Sequence, residues 1–205
     1  MTMNVTVPGS ADLLPRLFVV RHGETAWSLT GQHTSVTDLA LTPRGEEEAN
    51  ALAGRLAAIS FSRVFSSPRL RARQTCDLAG LGGAMEIEPA LAEWDYGDYE
   101  GKRASEIHQL RPDWNIYRDG CPQGESPAQI SDRADRLIAR LRGLSGNIAL
   151  FSHGHFSRVL AVRWVGLPVP TASHLMIHTA SVGILAFDQN RSMPAIALWN
   201  STAHL

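Results

Sequence analysis

The hydrophobic positions of this chain follow two kinds of pattern. Five short runs are rich in apolar and β-forming residues: 16–20 (RLFVV), 63–67 (RVFSS), 147–154 (NIALFSHG), 181–187 (SVGILAF) and 195–200 (AIALWN). Runs that do not alternate with polar residues suit strands covered on both faces. Between them the spacing becomes helical. Thr42 and Pro43 read as an N-cap and a first helical residue, with Leu52, Leu56 and Ile59 following on one face. Ser126, Pro127 and Gln129 make a capping-box start, and Ile130, Ala134, Leu137, Ile138 and Leu141 continue at helical spacing. A third helix is predicted over 155–166, ending near Gly166 and Pro168. Strands separated by helices predict an α/β chain: a three-layer α/β/α sandwich with a largely parallel central sheet, in one domain over 1–205. Two stretches break the pattern. Residues 1–15, interrupted by Pro8, Gly9 and Pro15, read as a loose leader; residues 85–125, rich in Trp, Tyr, Asp, Gly and Arg, read as an excursion over the sheet.

Composition narrows the classes of partner. A chain of 205 residues, 44% hydrophobic and 19% charged, buries a substantial core. Its net charge of −1 supplies no overall field for nucleic acid or an acidic membrane, so anion recognition has to come from local arginines. No apolar run approaches the roughly 20 residues that span a bilayer, and the N-terminal stretch lacks the pattern of a signal peptide. The two cysteines, Cys76 and Cys121, have no C-x-x-C spacing. A cytoplasmic protein without nucleic-acid or membrane partners is expected, its oligomeric state open and compatible with a homodimer.

The candidate chemistry sits at strand ends, where sheets of this kind gather ligands. The first run leads into Arg21 and His22, the second into Arg69, Arg71 and Arg73 at the opening of a helix, and the third into His153 and His155. Guanidinium forks, a helix N-terminus and imidazoles together suit a phosphoryl group. A neutral histidine there can attack phosphorus, with arginines neutralising the equatorial oxygens. The leaving oxygen needs a proton, and Glu93, Asp95, Asp98 and Glu100 lie among aromatic residues nearby; spacing does not choose among the four.

In their order, RHGETAWS, LTPRG, SSPRLRARQT, AEWDYGDYEG, GES and SHGH resemble the histidine phosphatase superfamily, also called phosphoglycerate mutase-like, from about residue 17 to 187. The resemblance implies a metal-independent acid phosphatase with no cofactor, a phosphomonoesterase acting on a small phosphorylated metabolite through a phosphohistidine. Carried over by position, it makes His22 the nucleophile, Arg21, Arg71 and His153 the phosphate holders, and Glu93 the proton donor. It puts Ser28, Thr34 and Ser35 in the loop lining the substrate pocket, with Gly154 and His155 following the second histidine. The arginine, lysine and Arg-Arg pair of cofactor-dependent mutases are not matched, since Trp94, Ala104 and only Arg118 stand there; phosphoglycerate mutase-type transfer is the alternative reading. SLTGQHT and WNIYRDGCPQGES are similar to the sedoheptulose-1,7-bisphosphatase-like branch, which implies a sugar phosphate or bisphosphate, with His33, Trp114 and Arg118 as candidate sugar contacts.

Plainer roles are expected elsewhere. Arg69 and Arg73 read as solvated helix charges, and Asp95, Asp98 and Glu100 as turn and surface residues. His174 and His178 read as structural, Trp164 and Trp199 as core, and both cysteines as inert. The eight histidines show no metal-ligand pattern.

Overall fold

A computed structural model describes residues 14–188 and 193–205. The leader expected at residues 1–15 lies mostly outside the described residues. Six strands form one sheet: β1 (Arg16–Arg21), β2 (Phe61–Ser66), β3 (Met85–Ile87), β4 (Asn147–Ser152), β5 (Val182–Phe187) and β6 (Pro194–Ser201), in the order β3-β2-β4-β1-β5-β6. The first four strands in that order run parallel, whereas β5 is antiparallel to β1 and to β6. The sheet is therefore largely parallel, as the unbroken apolar runs predict.

Two apolar layers cover its faces. Leu17, Val19, Ile148 and Leu150 point into one layer, and Phe18, Val20, Ala149 and Phe151 into the other. The first is covered by α6 (Pro127–Arg142) and α7 (Gly154–Trp164), through residues such as Ile130, Leu137 and Leu160. The second is covered by α2 (Pro43–Leu56) and α3 (Leu70–Leu78), through Leu52, Leu56 and Cys76. Short helices α1 (Ala26–Thr30), α4 (Ala104–Leu110) and α5 (Ile116–Asp119) belong to the loops above the strand ends.

Several predicted boundaries move for local reasons. The run at 147–154 stops being a strand at Ser152, because His153, with extended backbone, caps α7 and Gly154 is already its first residue. The helix expected at 155–166 accordingly begins earlier, and it ends at Trp164, before Gly166 at φ +77°. β2 starts at Phe61; its Ser62 and Arg63 are exposed, so they carried no apolar signal. Residues 85–87 belong to the sheet as its short edge strand, which shortens the excursion by that much. α2 ends at Leu56, and Ile59 packs beneath it from the following loop. The capping boxes and caps predicted at Thr42 and Ser126 are present. Trp164 is fully buried, whereas Trp199 is half-buried against the same layer. Burial raises the thiols of Cys76 and Cys121 to about 12.

Candidate active site

Hydrogen bonding continues one step past the parallel strands and sets the site. His22 N donates to Ser152 O at 3.0 Å, and Ser67 N donates to Phe151 O at 2.9 Å. Ser67, His22 and His153 therefore stand side by side at the carboxyl edge of β2, β1 and β4. The His22 and His153 rings meet edge to face, 5.2 Å between centroids.

Ring protons follow from the partners. His22 Nδ1 lies 2.7 Å from Gly23 O, and a carbonyl only accepts, so Nδ1 carries the proton and Nε2 keeps its lone pair. His153 Nε2 lies 2.7 Å from Ser67 Oγ. Among the described residues that hydroxyl meets no other acceptor, so its proton goes to His153 Nε2, which leaves the proton of the neutral ring on Nδ1. Burial first, then Arg71, holds both imidazoles well below the usual histidine range.

The arginines arrive from two directions. Arg21 ends β1, and its Nη1 donates to Ile177 O at 2.8 Å. Arg71, fully buried in the first turn of α3, donates to the carbonyls of Thr37, Thr34 and Ser35. Among the described residues no protein group meets Arg21 Nε, Arg71 Nε or His153 Nδ1, although all three are buried. Three orphan donors around one free imidazole lone pair suit an oxyanion ligand.

Glu93 is held at the N-terminus of α7. Its oxygens accept Trp94 N at 2.9 Å, His155 N at 3.0 Å and Phe156 N at 2.7 Å. Arg133 secures the segment, donating to Ala90 O, Ala92 O and Glu93 O while pairing with Glu125. A Cβ on Gly154 would lie 3.6 Å from the Arg21 guanidinium carbon and 3.7 Å from Glu93 Oε2, so the acid and the cation flank that backbone.

Above this floor is a cavity of about 150 Å³ whose walls include His22, Ser28, Gln32, His33, Thr34, Glu93, Tyr96, His155 and Arg158. Ser28 lines it, but its hydroxyl donates to Thr25 O and accepts Thr25 N–H in the cap of α1, leaving one acceptor site. Ser35 is buried behind the lining, its N–H on Glu100 and its carbonyl on Arg71. His33 presents an edge to the cavity and gives its Nδ1–H to Lys102 O at 2.7 Å. Trp114 sits behind it, ring to ring at 5.7 Å, with its indole N–H on Gly120 O. The structure does not bring Arg118 to the cavity: its side chain faces solvent and is held by Asp119 and Asp113 O. The acidic cluster also separates by role. Asp98 is exposed, Asp95 caps Gly97 N, and Glu100 is half-buried and holds Ser35 N and Thr37 N. Glu24 is turned to Thr42 and Arg44.

Arg69 and Arg73 are half-buried, with Nε atoms shielded from solvent, instead of solvated as expected; the first turn of α3 is tucked under the 34–38 loop, where Asp38 accepts Leu70 N–H. Tyr96 and Arg158, like Gly31 and Gln32, line the cavity without an assigned sequence role. Tyr96, whose hydroxyl burial keeps well above the usual phenol range, is hydrogen-bonded to His155 Nδ1 at 2.7 Å. Arg158 follows Gly154 by four residues on α7, hence on the same helix face, a spacing visible in the sequence. Among the described residues no three His, Cys, Asp or Glu side chains are grouped to hold a metal ion.

The histidine phosphatase superfamily (branch 1) family model matches residues 17–202. The chain belongs to the histidine phosphatase superfamily. The acid phosphatase of Mycobacterium tuberculosis is 44% identical over 194 residues, covering 92% of this chain and 94% of that protein. The sedoheptulose 1,7-bisphosphatase of Saccharomyces cerevisiae is 40% identical over 190 residues, covering 77% and 70%. A solved structure of an open reading frame product from M. tuberculosis superposes with a TM-score of 0.85 at 41% identity, covering 90% of this chain and 96% of the other. The chain is thus a histidine phosphatase enzyme with the α/β architecture of the phosphoglycerate mutase-like fold. No helix of the described residues is long and apolar enough to cross a membrane.

The depressed imidazoles predict that this histidine phosphatase loses stability as pH falls. The unfolded chain takes up protons as pH falls through about 6.5, whereas the folded His22 and His153 stay neutral until lower pH. Their contribution to stability is therefore full above that pH and is lost progressively below it. Burial and then Arg158 hold His155 low in the same way, so three such groups give a limiting slope of about 4.1 kcal/mol per pH unit. Urea midpoints measured between pH 7.5 and 5.5 should fall steadily below pH 6.5; a flat profile would exclude this origin.

Proposed function

We propose that the chain is a phosphomonoesterase that hydrolyses small sugar phosphates or sugar bisphosphates through a phosphohistidine on His22. The observation that carries the reading is the set of buried orphan donors, Arg21 Nε, Arg71 Nε and His153 Nδ1, beside the free Nε2 of His22. In the first step Nε2 attacks phosphorus, the P–O ester bond breaks, and Glu93 gives its proton to the leaving oxygen. In the second, the Glu93 carboxylate takes a proton from water, the resulting oxygen attacks phosphorus, the N–P bond breaks and phosphate leaves. Arg21, Arg71 and His153 hold the equatorial oxygens throughout.

Substrate size and charge are supported by the cavity. About 150 Å³ suits a small phosphorylated metabolite, and Gln32, His33 and Thr34 offer polar contacts to hydroxyl groups. Arg158 adds a cation one helical turn along α7, with its Nη1 on the Tyr117 hydroxyl and its buried Nε unmet among the described residues. A second anionic group on the substrate would meet it there. Released phosphate from sugar monophosphates, sugar bisphosphates and 3-phosphoglycerate, assayed with and without chelator, tests the reading. Sugar phosphates should be turned over in the presence of chelator. Arg158→Met should raise KM for a bisphosphate about tenfold, the size of one charged hydrogen bond, and barely change it for the monophosphate. Preference for 3-phosphoglycerate with transfer between positions, or equal effects of Arg158→Met on both sugar substrates, would overturn it.

A further inference from the structure

His22 is held through a peptide bond, and the other side of that peptide is held by a carboxylate. The His22 Nδ1–H donates to Gly23 O at 2.7 Å. That carbonyl belongs to the peptide whose N–H is on Glu24, and Glu24 N donates to Glu48 Oε2 at 3.0 Å. Carboxylate, peptide and imidazole thus form one continuous chain of two hydrogen bonds.

Close packing at the start of α2 enforces this arrangement. A Cβ on Gly45 would lie 2.1 Å from Glu24 O and 2.8 Å from Glu24 N, and a Cβ on Gly23 would lie 2.4 Å from Gly45 O. Both positions need glycine for the backbones to touch. Thr42 N donates to Glu24 O at 2.9 Å, and the Thr42 hydroxyl donates to Glu24 Oε1 at 2.7 Å. Glu24, although next to His22 in sequence, is thereby engaged with the cap, and the carboxylate that reaches the peptide comes from the next turn of α2. Glu48 is 8% exposed. Its second oxygen faces Arg44 Nε at 3.4 Å, and that side chain is 74% exposed, so solvent weakens the pairing and leaves the negative charge largely available to the peptide.

We propose that Glu48 is a positioning residue for His22, its carboxylate fixing and polarising the Gly23–Glu24 peptide so that the imidazole presents Nε2 to the substrate phosphorus. A peptide N–H bound to an anion leaves its carbonyl oxygen more negative, because linked hydrogen bonds polarise one another. The stronger acceptor holds the Nδ1–H tautomer. It also offsets the positive charge that grows on the ring as Nε2 bonds to phosphorus. A carboxylate that orients a catalytic imidazole through Nδ1–H does the same directly; here a peptide is interposed.

The inference rests on His22 being the nucleophile, so the test separates the two claims. Trapping of phosphohistidine in the wild-type enzyme tests the nucleophile. Ring ¹⁵N NMR of His22 in resting enzyme, together with kcat and KM, tests Glu48. Glu48→Leu removes the acceptor and should turn a single Nδ1–H tautomer into a mixture, with kcat down about tenfold and KM within about twofold, as expected for loss of one charge-assisted hydrogen bond. Glu48→Gln keeps an oxygen for Glu24 N–H and should retain the tautomer with about a threefold fall in kcat. Unchanged ring signals and kcat in folded Glu48→Leu would overturn the proposal. If Glu48→Leu does not fold, Glu48→Gln decides: reduced kcat at unchanged KM supports it, and wild-type kcat overturns it.

Discussion

His22→Ala is expected to remove phosphatase turnover while the protein still folds. Two buried histidines stand on the floor of the site, and their hydrogen bonds distinguish them. The His153 Nε2 lone pair receives the Ser67 proton, whereas His22 Nε2 has no such donor. Of these two floor histidines, His22 is therefore the one with a nitrogen free to attack. Loss of the nucleophile should lower kcat by at least about 10⁴-fold, since what remains is binding and charge stabilisation without a covalent path. The fold should survive, because among the described residues the ring makes one hydrogen bond, to Gly23 O, and a buried imidazole deprived of solvent is itself costly. Phosphate release from p-nitrophenyl phosphate and far-UV circular dichroism give the two readouts. Turnover within about a hundredfold of wild type in a folded variant would remove His22 from the mechanism.

The residues differ in how far the sequence alone reveals them. Strand ends announced Arg21, His22 and His153, because an apolar run that stops on a charged or ionisable group is itself anomalous. Capping chemistry is local, so Thr42 and Ser126 were legible without knowledge of the fold. Ser28 shows the opposite case: its place in the lining loop was anticipated, yet the hydroxyl is taken up by the cap of α1 three residues back. Arg118 lies in a stretch that the sequence tied to substrate, but an adjacent aspartate turns it to solvent, and such pairing depends on a rotamer. Glu48 was hidden among Glu46 and Glu47 on a helix that reads as amphipathic. Only the Gly23–Gly45 contact, between segments far apart in sequence, gives it a partner. Arg158 was within reach of periodicity alone, once Gly154 is placed at the start of the helix.

Arg71→Met should damage both the chemistry and the fold, which separates this residue from Arg21. Arg71 is fully buried, with Nη1 on Thr37 O at 3.2 Å and Nη2 on Thr34 O at 3.0 Å and Ser35 O at 3.4 Å. The same guanidinium whose buried Nε is unmet among the described residues therefore holds the loop carrying Thr34 into the cavity wall. Methionine leaves three carbonyls without their donor, and even with partial access to water the loss should be about 3 kcal/mol of stability. Loss of a guanidinium from the transferring phosphoryl group should lower kcat/KM by about 10³-fold. Arg71→Lys should recover little of either, because one ammonium cannot reach carbonyls on both sides of the loop and a phosphate oxygen as a planar fork does. Arg71 is also the largest charge acting on His22 and on His153, so its removal should let both imidazoles rise toward the ordinary range. In Arg71→Met the stability loss between pH 7 and 6 should accordingly be shallower than in wild type, since the folded histidines would then take up protons alongside the unfolded ones. Urea unfolding of the two variants across pH, set beside kcat/KM, reads all three consequences. A lysine variant with wild-type stability and activity within about tenfold would show that charge alone suffices, and that the loop is held by something other than the fork.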